Sequence, residues 1–132
     1  MKRNKTSVAG AVLTPLAMPK SGDRLLYASF QAGQVGMLAV GNPETRFRSG
    51  IVNLGLDDGP HAIALTDDGN RLVVTDYFPN GDYFDKIHFE GDLKIRVIKV
   101  FKDHLELASR FILDFNTTFP AGPARTHGVA MK

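Results

Sequence analysis

The stretch GPHAIALTDDGNRLVVTDYF, residues 59–78, decides the fold, because two short apolar runs flank a polar turn. The turn Asp-Asp-Gly-Asn, residues 67–70, supplies the glycine and the Asx residues that tight hairpin turns favour. The apolar runs are rich in Ala, Ile, Leu and Val, which is typical of buried strands. The stretch therefore predicts a β-hairpin with His61 at its entrance.

An internal repeat contains this hairpin. LAMPKSGDRLLYASF, residues 16–30, aligns without gaps with IALTDDGNRLVVTDY, residues 63–77, at an offset of 47 residues. A third, partial copy follows near the end of the chain, where HGVAM (127–131) repeats the pattern of HAIAL (61–65). Self-similarity at a period of this size indicates an architecture built from repeated units.

The strand pattern of each unit predicts the fold class. Further strand signals follow the two hairpins at residues 37–40, 51–54, 94–100 and 105–115. Units of four short strands and roughly 40 to 50 residues are typical of propeller blades. We therefore expect an all-β chain, a partial β-propeller with about two four-stranded antiparallel blades plus the first strand of a third. An antiparallel sandwich whose hairpins share turn chemistry is the alternative.

The repeat also sets the expected organisation of the chain. It divides into an N-terminal tail (1–12), a blade-like β-unit (13–55), a second blade (56–121) with an insertion at 79–92, and a closing strand (122–132). Two blades alone leave sheet edges and one blade face uncovered, because propellers contain roughly 4 to 8 blades. We therefore expect self-association, or missing propeller blades, as the partner of this chain.

Composition narrows the class of protein. The chain of 132 residues is 43% hydrophobic and 23% charged, with a formal net charge of +2, as expected for a folded domain. Its basic residues are too scattered to predict nucleic-acid binding, and its apolar runs are too short to predict a membrane span. The absence of cysteine excludes disulfides and thiolate metal ligands.

The N-terminus leaves the compartment open. MKRNK followed by TSVAGAVLTPLAM has the outline of a secretory signal, although Pro15 and Pro19 interrupt the apolar stretch. The prediction is a cytoplasmic protein, with periplasmic or secreted localisation as the alternative.

Two family resemblances add to this prediction. PHAIALTDDGNRLVVTDYF (60–78) is similar to the blade motif of YVTN-type and lactonase-like propellers. GDLKIRVIKV (91–100), LELASRFILDFN (105–116) and GPARTHGVAMK (122–132) resemble the last blade and closing strand of the selenium-binding protein (methanethiol oxidase) family. That resemblance implies a seven-bladed propeller and copper-dependent oxidation of methanethiol. It also implies metal-binding histidines along the central channel, at His127 and His61 in this chain.

The histidines are the candidate metal ligands. His61 and His127 stand at matching places at the start of equivalent strands, whereas Thr14 stands there in the first copy. Matching positions of different blades converge around the propeller axis, and imidazoles in such an arrangement suit copper or another late first-row metal. The alternative is that each histidine bonds the backbone and fixes its loop.

Other candidate site residues lie at the end of the hairpin and in the insertion. His88 is a further candidate metal ligand, and Glu90 beside it is a candidate binding residue. Asp76 and Tyr77 end an apolar strand and are candidates for binding a small molecule in the channel. Packing of the insertion on the neighbouring blade is the alternative for its aromatic and apolar residues.

The residues leave two functions open. One is a binding or scaffold module without activity of its own, and the other is a copper-dependent small-thiol oxidase that needs the assembled propeller. A lactonase-like hydrolase is a third option, for which the sequence offers no identifiable ring of acidic and asparagine ligands.

Overall fold

The computed structural model describes residues 13–30, 32–41, 47–55, 59–76, 78–81, 87–90, 93–122 and 128–131. These residues form ten β-strands and no helix, which confirms the predicted all-β class. In this part of the chain no helix is long and apolar enough to cross a membrane.

Two four-stranded antiparallel sheets and one small hairpin make up the described structure. Blade 1 has the order β1-β2-β3-β4, with β1 at Leu13–Ala17, β2 at Arg24–Ser29, β3 at Gln34–Ala39 and β4 at Phe47–Asn53. Blade 2 has the order β10-β9-β6-β5, with β5 at Pro60–Leu65, β6 at Arg71–Asp76, β9 at Lys94–Val100 and β10 at Leu105–Asp114. The hairpin consists of β7 (Phe78–Gly81) and β8 (Ile87–Glu90). Two blades that do not close into a ring are the partial β-propeller that the sequence predicts.

The hairpins β1-β2 and β5-β6 have the same strand register. Every β1-β2 pair reappears as a β5-β6 pair at the 47-residue offset of the sequence repeat. The pairs are Leu13–Ser29, Leu16–Tyr27 and Ala17–Leu26 in blade 1, and Pro60–Asp76, Ile63–Val74 and Ala64–Val73 in blade 2. The sequence repeat is therefore a repeat of strand pairing as well.

The turns of these hairpins are also equivalent. The N–H of Gly22 donates to the carbonyl of Pro19 at 2.9 Å, and the N–H of Gly69 donates to the carbonyl of Thr66 at 2.8 Å. Both glycines have positive φ, 68° and 72°, a conformation that L side chains rarely adopt. Asp68 accepts a bond from the N–H of Asn70, which makes an Asx turn within the predicted hairpin turn.

The hydrophobic core lies between the two blades. Side chains alternate along each strand, so one face of each sheet presents a row of apolar residues to the other sheet. The core contains Leu26, Ala28, Val35, Met37 and Val52 from blade 1 and Leu72, Val74, Ile98, Val100 and Leu105 from blade 2. Burial of a leucine, isoleucine or valine side chain contributes about 1.5–3 kcal/mol, so this contact is the main stabilising interaction of the described fold.

A hydrogen bond and a glycine complete the contact between the blades. Nη1 of Arg24 in blade 1 donates to the carbonyl of Phe101 in the β9-β10 turn at 2.9 Å. A Cβ atom at Gly50 would lie 3.1 Å from the backbone nitrogen of Leu105, so the glycine lets β4 approach this turn closely.

Some of the predicted features lie outside the described residues. They include the N-terminal tail (1–12), Tyr77, residues 82–86, 91 and 92 of the predicted insertion, and residues 123–127 of the predicted closing strand. Residues 128–131 carry no regular secondary structure. The first strand of a third blade therefore stays a prediction.

Gly36 gives a test of the packing within blade 1. Tyr27 is 1% exposed, and its ring occupies the space that a Cβ atom at Gly36 would need. Gly36→Ala should therefore lower the free energy of unfolding by about 1–3 kcal/mol, measured by urea denaturation. Gly128→Ala is the control, because nothing lies within 4 Å of its added Cβ atom. Equal stability of the two variants would contradict this packing.

Candidate functional site

A polar cluster lies where the inner strands β1 and β5 run beside one another. It occupies the ends of β2 and β6 that are farthest from the hairpin turns. We define it by Phe30, His61, Asp76 and Arg96, which are linked by a ring contact, by the pairing of Pro60 with Asp76 and by an ion pair. Asp76 is fully buried, which is uncommon for a carboxylate, since buried polar groups need partners within the protein.

His61 is the extra residue of a β-bulge. Pro60 pairs with Asp76 and Ala62 pairs with Thr75, so the register shifts by one residue between Pro60 and Ala62. The equivalent part of blade 1 has the same kind of shift, between Leu13 and Leu16. Bulges turn a side chain out of the regular alternation, and they are common beside functional sites. The position of His61 therefore follows from the repeat, although its imidazole has no counterpart in blade 1.

The His61 ring joins the two blades. Its centroid lies 6.1 Å from that of Phe30 in blade 1, with the ring planes at 77° in an edge-to-face contact. The Nδ1 atom of His61 is shielded from solvent. Such a contact is a favourable arrangement of aromatic quadrupoles, so the imidazole contributes to the docking of blade 2 on blade 1.

A buried ion pair lies next to this bulge. Nε of Arg96 donates to Oδ2 of Asp76 at 3.3 Å, and the carboxylate side chain is fully buried. Val74 pairs with Arg96, which places both charged side chains on the face of blade 2 that carries the core residues. Compensation of the Asp76 charge by the guanidinium allows the carboxylate to remain inside the contact between blades.

The structure brings together some of the predicted site residues. Asp76 and His61 lie at the same end of blade 2, because Pro60 is the strand partner of Asp76. His127 and Tyr77 lie outside the described residues. His88 and Glu90 belong to β8, and the described structure covers only their backbone. Their predicted roles as metal ligands and binding residues stay predictions.

Sequence reasoning missed Arg96. A signal was present, because the alternation of KIRVIKV places Arg96 on the same face as Ile98 and Val100. A charge on an apolar face predicts a buried partner of opposite charge. Asp76 stands in the same relation to Leu72 and Val74 in β6.

Among the described residues, no group of three or more His, Asp or Glu side chains is placed to hold a metal ion. His61 is the described member of the predicted ligand set, and its ring packs against Phe30. A cleft of about 380 Å³ lies elsewhere, along β10 between Glu106 and Phe111, and contains no residue of the polar cluster.

The fold and this cluster define the class of the protein as a partial β-propeller with a polar end to its inner strands. A solved structure with a similar fold is the X-ray structure of a hypothetical selenium-binding protein from Sulfolobus tokodaii. The TM-score is 0.67 and the sequence identity is 21%, over 87% of this chain and 27% of that chain. The chain therefore spans about a quarter of the length of that protein, and the likeness shows the fold. No protein-family model matches the sequence, and no curated protein is a significant match.

The buried ion pair leads to a stability prediction. Arg96→Ala leaves the Asp76 carboxylate buried without its guanidinium, and removal of one member of a buried pair costs about 3–5 kcal/mol. The free energy of unfolding should fall by that amount in urea denaturation. Lys20→Ala is the control, because both members of its ion pair with Asp67 are exposed, and we expect little or no loss of stability. Equal losses in the two variants would contradict a stabilising role for the buried pair.

A second histidine, His104, lies in the β9-β10 turn between two carboxylates. Its ring stacks on Phe101 at a centroid distance of 4.4 Å. Nδ1 lies 2.7 Å from a carboxylate oxygen of Asp103, and Nε2 lies 3.2 Å from one of Glu106. The hydrogen bond with Asp103, followed by the one with Glu106, raises the pKa of His104. Both nitrogens donate only in the protonated ring, so these bonds favour imidazolium.

The raised pKa gives a pH prediction with a definite sign. The stability from His104 is fully present below pH about 6.5, the ordinary histidine pKa, and is lost as the pH rises through the raised pKa of the folded state. NMR titration should show that Asp103→Asn lowers the pKa of His104, whereas Ser109→Ala leaves it unchanged. An unchanged pKa in Asp103→Asn would refute the assigned cause.

Proposed function

We propose that this chain is a two-blade propeller module, related to the selenium-binding protein family, that binds or supports partners without catalysis of its own. The observation that carries the proposal is the face-to-face docking of two four-stranded blades in a fold similar to about a quarter of a larger protein. The name of that protein, a hypothetical selenium-binding protein, agrees with the resemblance of residues 91–132 to that family.

The polar cluster supports a structural and binding role. Its buried carboxylate is paired with Arg96, and its imidazole is in edge contact with Phe30 of the other blade. The ion pair joins β6 to β9, and the ring contact joins β5 to blade 1, so both contacts stabilise the fold. The inner strands of a propeller line its central channel, so the same end of the module would contribute polar groups to a small-molecule site in an assembled ring.

Copper-dependent oxidation of methanethiol in a complete propeller is the second candidate function. The observation that favours it is the bulge, which turns His61 out of the strand alternation at the inner strand. The matching sequence position of His127 would supply a second imidazole from the next blade. An open metal site generally needs three protein ligands, so this function requires residues from further blades.

Metal analysis separates the two functions. The purified chain is loaded with copper, desalted and assayed for copper per chain and for methanethiol consumption. The comparison includes wild type, His61→Ala, His127→Ala and the control His104→Ala, which changes a histidine in an exposed turn. We expect all four proteins to hold far less than one copper per chain and to consume methanethiol at the buffer rate.

The opposite pattern would support the oxidase. It consists of about one copper per wild-type chain that is lost in His61→Ala and His127→Ala but retained in His104→Ala. Consumption of methanethiol that follows the copper content would then overturn the proposal of a module without activity.

A further inference from the structure

The contact between the blades joins two different faces. Blade 1 contributes the face that carries Leu26 and Met37, and blade 2 contributes the face that carries Leu72 and Ile98. Each blade therefore has a second face, which points away from the other blade. We call these the outward face of blade 1 and the outward face of blade 2.

The outward face of blade 1 is equivalent to the docked face of blade 2. Leu16 matches Ile63 in the repeat, and their strand partners Tyr27 and Val74 match as well. Ile63 is partly buried against the core between the blades, whereas Leu16 is 59% exposed. The same apolar position of the inner strand is thus covered in blade 2 and open to solvent in blade 1, whereas Tyr27, beside Leu16 on the outward face, lies over Gly36 and is 1% exposed.

The outward face of blade 2 shows the same relation to the docked face of blade 1. Val73 and its strand partner Val97 match Leu26 and Met37, which are fully buried in the core. Ala64 matches Ala17, which packs against that core. Ala64, Val73 and Val97 on the outward face are therefore apolar like the residues they match, but they are partly exposed.

We propose that a second copy of this chain docks with the outward face of its blade 1 on the outward face of blade 2, repeating the contact between the blades. The apolar residues at matched positions on both sides support this occupant, because the chain already contains one example of the same joint. Arg71 matches Arg24, whose guanidinium reaches the neighbouring blade, so the repeated joint also has an equivalent polar contact available.

Such a joint is heterologous, because each copy contributes a different surface. Successive copies then add with a constant rotation and either close into a ring or continue as an open chain. A propeller of roughly 4 to 8 blades would need about two to four copies of this two-blade chain. This proposal rests on the proposed function as a propeller module, and the partner of the module is a second copy of the same chain.

Sedimentation velocity of the full chain over a range of concentrations tests the proposal. Wild type should associate as its concentration rises. Leu16→Lys and Val97→Lys should each raise the apparent dissociation constant about tenfold or more, because each buries an unpaired charge in the joint. Phe119→Lys is the matched control, because Phe119 is 45% exposed and has no equivalent in the core between the blades, and its association should equal that of wild type.

Circular dichroism checks that each variant is folded. If a lysine variant does not fold, the corresponding alanine variant, Leu16→Ala or Val97→Ala, is measured in its place. A wild-type chain that stays monomeric at every concentration would overturn the proposal. Association that Phe119→Lys weakens as much as Leu16→Lys does would overturn it as well, because the contact would then lie elsewhere.

Crosslinking tests which faces meet, since the chain contains no cysteine of its own. Leu16→Cys and Ala64→Cys proteins are treated with a short bismaleimide, each alone and mixed. A heterologous joint predicts at least tenfold more crosslinked dimer in the mixture than in either protein alone. Equal yields in all three samples would overturn the head-to-tail arrangement. Copper content and methanethiol consumption of the same wild-type sample show independently whether the proposed function fails.

Discussion

The apolar contact between the two sheets is the interaction on which the rest of the structure depends. A four-stranded sheet with apolar residues on one face must cover that face with another layer. Leu26, Leu72 and Ile98 have no exposure to solvent, because the two sheets lie face to face. The same contact sets β1 beside β5, which brings Phe30 of one blade to His61 of the other. The polar cluster is therefore a consequence of how the blades dock.

The contacts of the polar cluster hold its side chains in fixed positions. Its carboxylate lies within the contact between the blades and is compensated by Arg96, and its imidazole is held edge-on by an aromatic ring. The desolvation of two buried charges offsets much of their attraction, so the pair adds little net stability, whereas loss of one member leaves an uncompensated charge. In this chain the ion pair joins β6 to β9, the two central strands of blade 2, and so fixes the end of the blade from which His61 projects.

The repeat places the same apolar residues in both blades, but their exposure to solvent differs between the two blades. Blade 1 and blade 2 have matching hairpin registers and matching glycine turns. Their joint nevertheless uses opposite faces, so a module with two blades covers one face of each and leaves the other face outward. The exposure of Leu16 beside the partial burial of Ile63 is the direct result. A propeller solves this problem by circular repetition, which gives every blade two neighbours.

The sequence by itself determined the hairpins, their turns and the repeat, because strand alternation and a glycine with positive φ depend on neighbours along the chain. It also indicated Asp76 and His61 as residues of interest. Only the tertiary structure decided that Asp76 pairs with Arg96, because β6 pairs with β9 across the insertion between them. The bulge at His61 likewise depends on strand pairing. Burial of Ile63 and exposure of Leu16 could not be distinguished from their matching sequences, because burial depends on which face meets another sheet.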